Sequence, residues 1–235
     1  MVINGILFDK DGTLLDFNKS WMPVNRIAAM TVAGGDPSIA GRLLKECGQN
    51  EAAGYVESGA VLAAGNTGEI AAAWEQLHPD HGIIDLVGVI DEIFQREGAT
   101  SAVPVPDLQK VLSKLHGQGL TLGIATSDSH QGAIASLTPF DILDKFNYIA
   151  GYDSGHGVKP GPGMVEGFCQ STGLIPDEII VVGDNPHDLE MGKSGGAGLL
   201  VGVLSGTSRH EDLAPLADEV INGITAISEI IDKYQ

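Results

Sequence analysis

The chain has 235 residues, 43% of them hydrophobic and 19% charged, a composition that builds a core and is not that of a disordered chain. Thirteen basic against thirty-one acidic residues give a formal charge of −18, a field that argues against nucleic acid and anionic membrane as partners. The same field repels a phosphorylated molecule, so a phosphate site in this chain requires local cations or a metal.

In chain order, Ile3–Phe8 is a short apolar run of the kind buried on both faces in a parallel sheet. It ends in Asp9 and Asp11 around Lys10, and Gly12 then allows a sharp turn. Side chains alternate along extended backbone, which predicts Asp9 and Asp11 on one side and Lys10 on the other. From about Phe17 to about Thr100 the chain changes character. It is rich in alanine and in helical spacing, as in Ile70, Ala73, Trp74 and Leu77, and a Gly34-Gly35-Asp36-Pro37 turn divides its helices. This predicts a helical second domain (17–100) inserted into a core made of residues 1–16 and 101–235. Pro104-Val-Pro106 reads as the rigid connector back to the core.

Asp107 is expected to cap a helix whose Leu108, Val111, Leu112 and Leu115 share one face, with Gly117 or Gly119 ending it. Leu120–Thr126, Phe146–Ala150, Ile179–Gly183 and Gly198–Val203 read as further buried strands, and Met164–Thr172 and Ile224–Ile231 as helices. Such alternation predicts an α/β fold, a doubly wound parallel sheet of Rossmann-like type. Cys47 and Cys169 are too few for a disulfide framework or zinc cluster. The start MVINGILFDK has no basic leader, and no stretch has the length of a membrane span, so a cytoplasmic protein is expected.

Ligands gather at the carboxyl ends of strands in such a sheet. Four polar sets fall there: Asp9 and Asp11; Thr126 and Ser127; Lys159 in the loop Gly155–Pro160; and Asp184 with Asp188 in GDNPHD. Like charges so close are unfavourable without a cation between them, and oxygen ligands on a hard cation suit Mg²⁺. A lysine and a hydroxyl complete a cradle for a transferring phosphoryl group. Duller roles stand beside these. Asp184 also suits a helix N-cap, Asp188 a first-turn acid, and His156 and His187 are ordinary polar-loop histidines with no zinc-like spacing.

DKDGT (Asp9–Thr13), Thr126, Lys159-Pro160 and GDNPHD (Gly183–Asp188) resemble, in order, the four motifs of the haloacid dehalogenase superfamily, closest to its phosphoglycolate-phosphatase-like branch. The helical insertion stands where members often carry a cap domain. The resemblance implies that Asp9 is the nucleophile and that Asp11 is the general acid and later the base. It implies Mg²⁺ on the Asp9 carboxylate, the Asp11 main-chain carbonyl and Asp184, with Asp188 binding directly or through water. Thr126, the Ser127 backbone and Lys159 would hold the phosphoryl group. An alkoxide leaving group needs the Asp11 proton and a halide does not, which favours a phosphatase or phosphomutase over a dehalogenase. A capped site favours a small phosphorylated metabolite, and Lys19, Arg26, Arg42, Lys45 and Arg96 are the insertion's candidates for holding a second anionic group. A non-enzymatic phosphate- or metal-binding regulator is the alternative from another class. Two departures stand out: Lys10 replaces a commonly apolar residue, and Phe17 a commonly small polar one.

Overall fold

A computed structural model describes residues 2–234, so Met1 and Gln235, the outermost positions of the expected core segments, lie outside the described residues. Strand β1 (Gly5–Phe8) leads into helices α1 (Phe17–Val32) and α2 (Pro37–Glu46), a short hairpin of β2 (Gln49–Asn50) and β3 (Tyr55–Val56), and helices α3 (Val61–Ala64), α4 (Thr67–Leu77) and α5 (Leu86–Ser101). The chain continues through α6 (Leu108–Gly117), β4 (Thr121–Ala125), α7 (His130–Leu137), β5 (Phe146–Ala150), α8 (Gly163–Thr172), β6 (Ile179–Gly183) and α9 (Pro186–Ser194). It closes with β7 (Leu199–Val203), α10 (His210–Leu213), β8 (Glu219–Ile221) and α11 (Ile227–Tyr234).

Six strands form one sheet in the order β5-β4-β1-β6-β7-β8, every pairing parallel. Alternation along each strand divides its apolar residues between two layers. Ile6, Phe8, Ile124, Ile180 and Val182 pack under α6 and α11. Leu7, Ala125, Ile179 and Val181 pack under α8 and α9. This is the expected doubly wound α/β core with a helical insertion. β8 escapes sequence reading because it is three half-buried residues with no continuous apolar run.

The insertion has a core of its own, with Trp74 fully buried and Trp21 of α1 meeting Phe94 of α5 edge to face at 4.9 Å. Its helices start where their caps allow. Asp16 accepts from the Lys19 amide, Asp36 precedes Pro37 and accepts from the Ser38 amide, and Asn66 and Glu69 form a capping box. Asp107 behaves differently from expectation. It adopts a left-handed conformation (φ 58°) and makes no side-chain cap, and only its carbonyl joins α6, by accepting from Val111. With that φ its backbone cannot present the extended geometry of an N-cap.

The chain leaves and re-enters the core at adjacent points: the Asp16 amide donates to Val103 O (2.8 Å) and the Val105 amide to Leu14 O (3.0 Å). The insertion touches the core again across the strand ends, where Tyr152 Oη donates to Asp91 Oδ2 (2.6 Å) and Ser127 Oγ to Ala64 O (3.4 Å). Among the described residues no helix is long and apolar enough to cross a membrane.

Candidate active site

Strand β1 lies between β4 and β6, so its carboxyl end is flanked by Thr126 after β4 and Asp184 after β6. This is the crevice that doubly wound sheets offer to ligands. Asp9, Asp11, Thr126, Ser127, Lys159, Asp184 and Asp188 all line one cleft between the sheet and the insertion.

Asp9 is buried, and its Oδ1 accepts from Lys159 Nζ at 2.7 Å. Lys159 Nζ also donates to Asp188 Oδ1 at 2.6 Å, and Asp188 Oδ2 accepts from the Asn185 amide at 3.0 Å. Asp184 Oδ2 accepts from the Thr207 amide at 2.8 Å. Asp184 is therefore not the cap of α9; Asn185 is, with Asp188 closing the capping box. The carboxylates of Asp9, Asp184 and Asp188 bring ligand oxygens within 4.8 Å of one another. Backbone crowds in to hold them. A Cβ on Gly12 (φ 99°) would stand 2.5 Å from Asp184 Cγ, and one on Gly206 would stand 1.9 Å from Asp184 Oδ2.

The electrostatics follow from three buried acids gathered near one ammonium, which pairs with two of them. Burial pushes the Asp9 carboxyl up to about 7; Lys159 opposes the rise, and the charges of Asp188 and Asp11 add to it. Burial also raises Asp184 well above the usual carboxylate range, reinforced by Asp9 and Asp188. For Lys159, burial works downward but the two carboxylates prevail and hold it above its ordinary value. A further cation fits this set on two grounds. The donors are all oxygens, and Asp9 Oδ2 is buried with no hydrogen-bond partner.

The Asp11 carboxylate stands outside that cluster. Lys10 is fully buried with its Nζ 2.6 Å from Asp11 Oδ2 and 3.0 Å from Asp128 Oδ2, under the Trp21 ring at 5.3 Å. Simple alternation therefore fails here, because β1 ends at Phe8 and residues 9–13 turn, bringing the side chains of Lys10 and Asp11 together. Burial pulls Lys10 down, but Asp11 and Asp128 more than reverse it and hold the ammonium above its usual value. Thr126 Oγ1 accepts from the Asp128 amide at 3.1 Å, which leaves its hydrogen free to donate into the cleft.

His187 lines the cleft with Nδ1 buried and unpaired, whereas His156 is not among the lining residues and packs 5.7 Å from the Tyr148 ring. None of the insertion's five candidate cations lines the cleft. Lys19 pairs with Asp16, Arg26 with Glu51 and Arg96 with Glu97, while Arg42 reaches the Leu77 carbonyl and Lys45 is exposed on α2. Sequence reading missed Lys10, Asp128 and Thr207. Asp128 had a signal, two positions beyond the strand-end Thr126; Thr207 had none, since only the fold brings the loop after β7 to Asp184.

A family model described as "Hydrolase: haloacid dehalogenase-like hydrolase" matches residues 3–196. Pyrophosphatase PpaX of Halalkalibacterium halodurans is 26% identical over 212 residues, covering 90% of this chain and 88% of that protein. A phosphoglycolate phosphatase of Vibrio vulnificus is 26% identical over 211 residues, covering 89% and 87%. Among solved structures, a predicted phosphoglycolate phosphatase from Haemophilus somnus 129PT superposes with a TM-score of 0.71 at 20% identity over 97% of each chain.

Proposed function

Because the chain belongs to the haloacid dehalogenase-like hydrolase family, we propose that it is a Mg²⁺-dependent phosphatase that cleaves a small phosphomonoester through a phosphorylated Asp9. The observation that carries this reading is Asp9 itself. One carboxylate oxygen is pinned by Lys159, the other, Oδ2, is buried and unpartnered, and the carboxylate as a whole converges with those of Asp184 and Asp188. Two curated relatives are named for cleavage of phosphoglycolate and of pyrophosphate, which supports the phosphatase class and names two different substrates.

Asp9, Asp184 and Asp188 would hold the metal, with the Asp11 main-chain carbonyl as a further oxygen. Bound there, Mg²⁺ supplies positive charge to the nucleophile and to the transferring phosphoryl oxygens. An Asp9 oxygen attacks phosphorus, the ester P–O bond breaks, and Asp11 gives its proton to the departing alkoxide. Lys159 and the Thr126 hydroxyl hold phosphoryl oxygens, with Ser127 beside them. Asp11 then takes a proton from water as the water attacks phosphorus, the bond to Asp9 breaks, and phosphate leaves. The insertion acts as a cap, excluding bulk water between the two steps.

The test is phosphate release from an aryl phosphate and a panel of small esters, with Mg²⁺ or with EDTA. Wild type is expected to turn over in Mg²⁺ and stop in EDTA, and Asp9→Asn to be silent in both. Retained hydrolysis by Asp9→Asn would sink the nucleophile assignment. Transfer of phosphate to a second hydroxyl of the substrate, in place of free phosphate, would make the protein a phosphomutase on the same scaffold.

A further inference from the structure

We infer that the ester cleaved here is that of an uncharged alcohol with an apolar body, and that neither phosphoglycolate nor pyrophosphate is a preferred substrate. The inference rests on the phosphatase reading above and concerns the half of the cleft that faces the rest of the substrate.

That half is built by the insertion. Its wall includes Phe17, Trp21, Leu62, Ile70 and Phe94, with Asn25 and Thr67 as the polar side chains among them. Among the described residues, no acid or base of the insertion lines the cleft. The candidate cations that would meet a carboxylate or a second phosphate are committed elsewhere or point to solvent, as the pairings of Lys19, Arg26, Arg42 and Arg96 show. The core half does not compensate. Lys159 is shared by Asp9 and Asp188, and Lys10 by Asp11 and Asp128, so each buried ammonium already faces two carboxylates. Positive charge from a metal is opposed by the transferring phosphoryl group itself, so among the described residues the one basic side chain of the cleft left for a second anion is the His187 imidazole, a single ring on the core side. Such an anion would enter a low-dielectric cleft among carboxylates, where like charges interact strongly.

An apolar substituent meets the opposite situation. The Trp21 and Phe94 rings pack edge to face, which fixes an aromatic surface opposite the acids. Asn25 donates its amide to Gln49 Oε1 at 3.0 Å, so its orientation is set before a substrate arrives. The enclosed space between the two halves is about 60 Å³, so a substituent on the phosphate meets this wall directly and the insertion must shift to admit it.

The experiment compares kcat/KM of wild type in Mg²⁺ on benzyl phosphate, 2-phosphoglycolate and pyrophosphate. Benzyl and glycolate alkoxides make similar demands on the acid, and pyrophosphate releases a better leaving group, so a deficit on it reports binding. Benzyl phosphate is expected to lead both anionic substrates by about tenfold or more. A second arm installs the missing charge: Ile70→Lys is expected to raise kcat/KM for 2-phosphoglycolate and lower it for benzyl phosphate. Equal or better turnover of either anionic substrate by wild type overturns the inference while leaving the phosphatase reading intact. A ratio unmoved by Ile70→Lys also overturns it, since the wall would then not meet the substituent. Silence on every ester in Mg²⁺, including an aryl phosphate, removes the phosphatase reading and this inference together.

Discussion

Lys10 shows how far a single side chain departs from the reading its position invites. Placed by alternation, it would lie away from the acids; placed by the turn, it is the counter-charge of two of them. Lys10→Met keeps the length and removes the charge, leaving the buried Asp128 and the half-buried Asp11 uncompensated. A loss of about 3–5 kcal/mol in urea unfolding is expected. Adding Asp128→Leu should recover part of it, and a double mutant no more stable than Lys10→Met would show that Asp128 does not share the ammonium. Asp184 offers a second test at this scale. A Cβ at residue 206 would stand 1.9 Å from its Oδ2, so Gly206→Ala should displace the carboxylate and weaken Mg²⁺ binding by about tenfold or more, read by calorimetric titration. Unchanged affinity would place Asp184 outside the metal site.

Helix α1 begins directly after the core's first crossing and carries Phe17, Trp21 and Asn25 into the cleft. Its first turn depends on Asp16, which accepts from the Lys19 amide at 3.1 Å. Asp16→Ala should cost about 1 kcal/mol of stability, and Asp16→Asn, which keeps an acceptor, should retain most of it. Equal losses from both would assign the effect to the exposed Lys19 pair and not to the cap. Elements of this kind differ in how readable they are from sequence. Strands β1, β4, β6 and β7 announce themselves because burial on both faces demands continuous apolar runs. Strand β8 and the hairpin of β2 and β3 do not, being two or three residues long with little apolar signal. Asp107 misleads because a residue type favoured at caps says nothing about φ, and its φ is positive.

Taken whole, the molecule stores repulsion where it gathers its acids, and that makes its stability depend on pH. Asp9 goes from an ordinary value of 3.8 when unfolded to about 7 when folded, so the folded state holds this proton more tightly. The contribution is fully present below about pH 4 and is lost as pH rises through 7; Asp184, also raised, acts in the same direction. In EDTA the melting temperature should therefore be lower at pH 8 than at pH 6. Mg²⁺ should raise it more at pH 8, where the metal displaces fewer protons. A Mg²⁺ effect equal at both values would mean the cation binds elsewhere. At this scale, too, the limits of the sequence become physical. The strand-end acids, Thr126 and Lys159 were legible because topology brings strand ends together whatever fills the loops. The apolar wall opposite them was not, because Trp21 and Phe94 lie 73 positions apart in the chain and meet only through the packing of α1 on α5. Arg26 and Arg96, two of the insertion's candidate cations, are engaged on its own surface.

The Asp16 amide and the Val103 carbonyl are 2.8 Å apart, so the helical excursion leaves and rejoins the core chain at one place, whatever further contacts it makes across the strand ends. Removing residues 17–102 and closing the gap with a few glycines would leave each strand of the sheet opposite the same neighbour. On the proposed function, the segment that would select the alcohol is thus separable along the chain from the segments that would cut the ester.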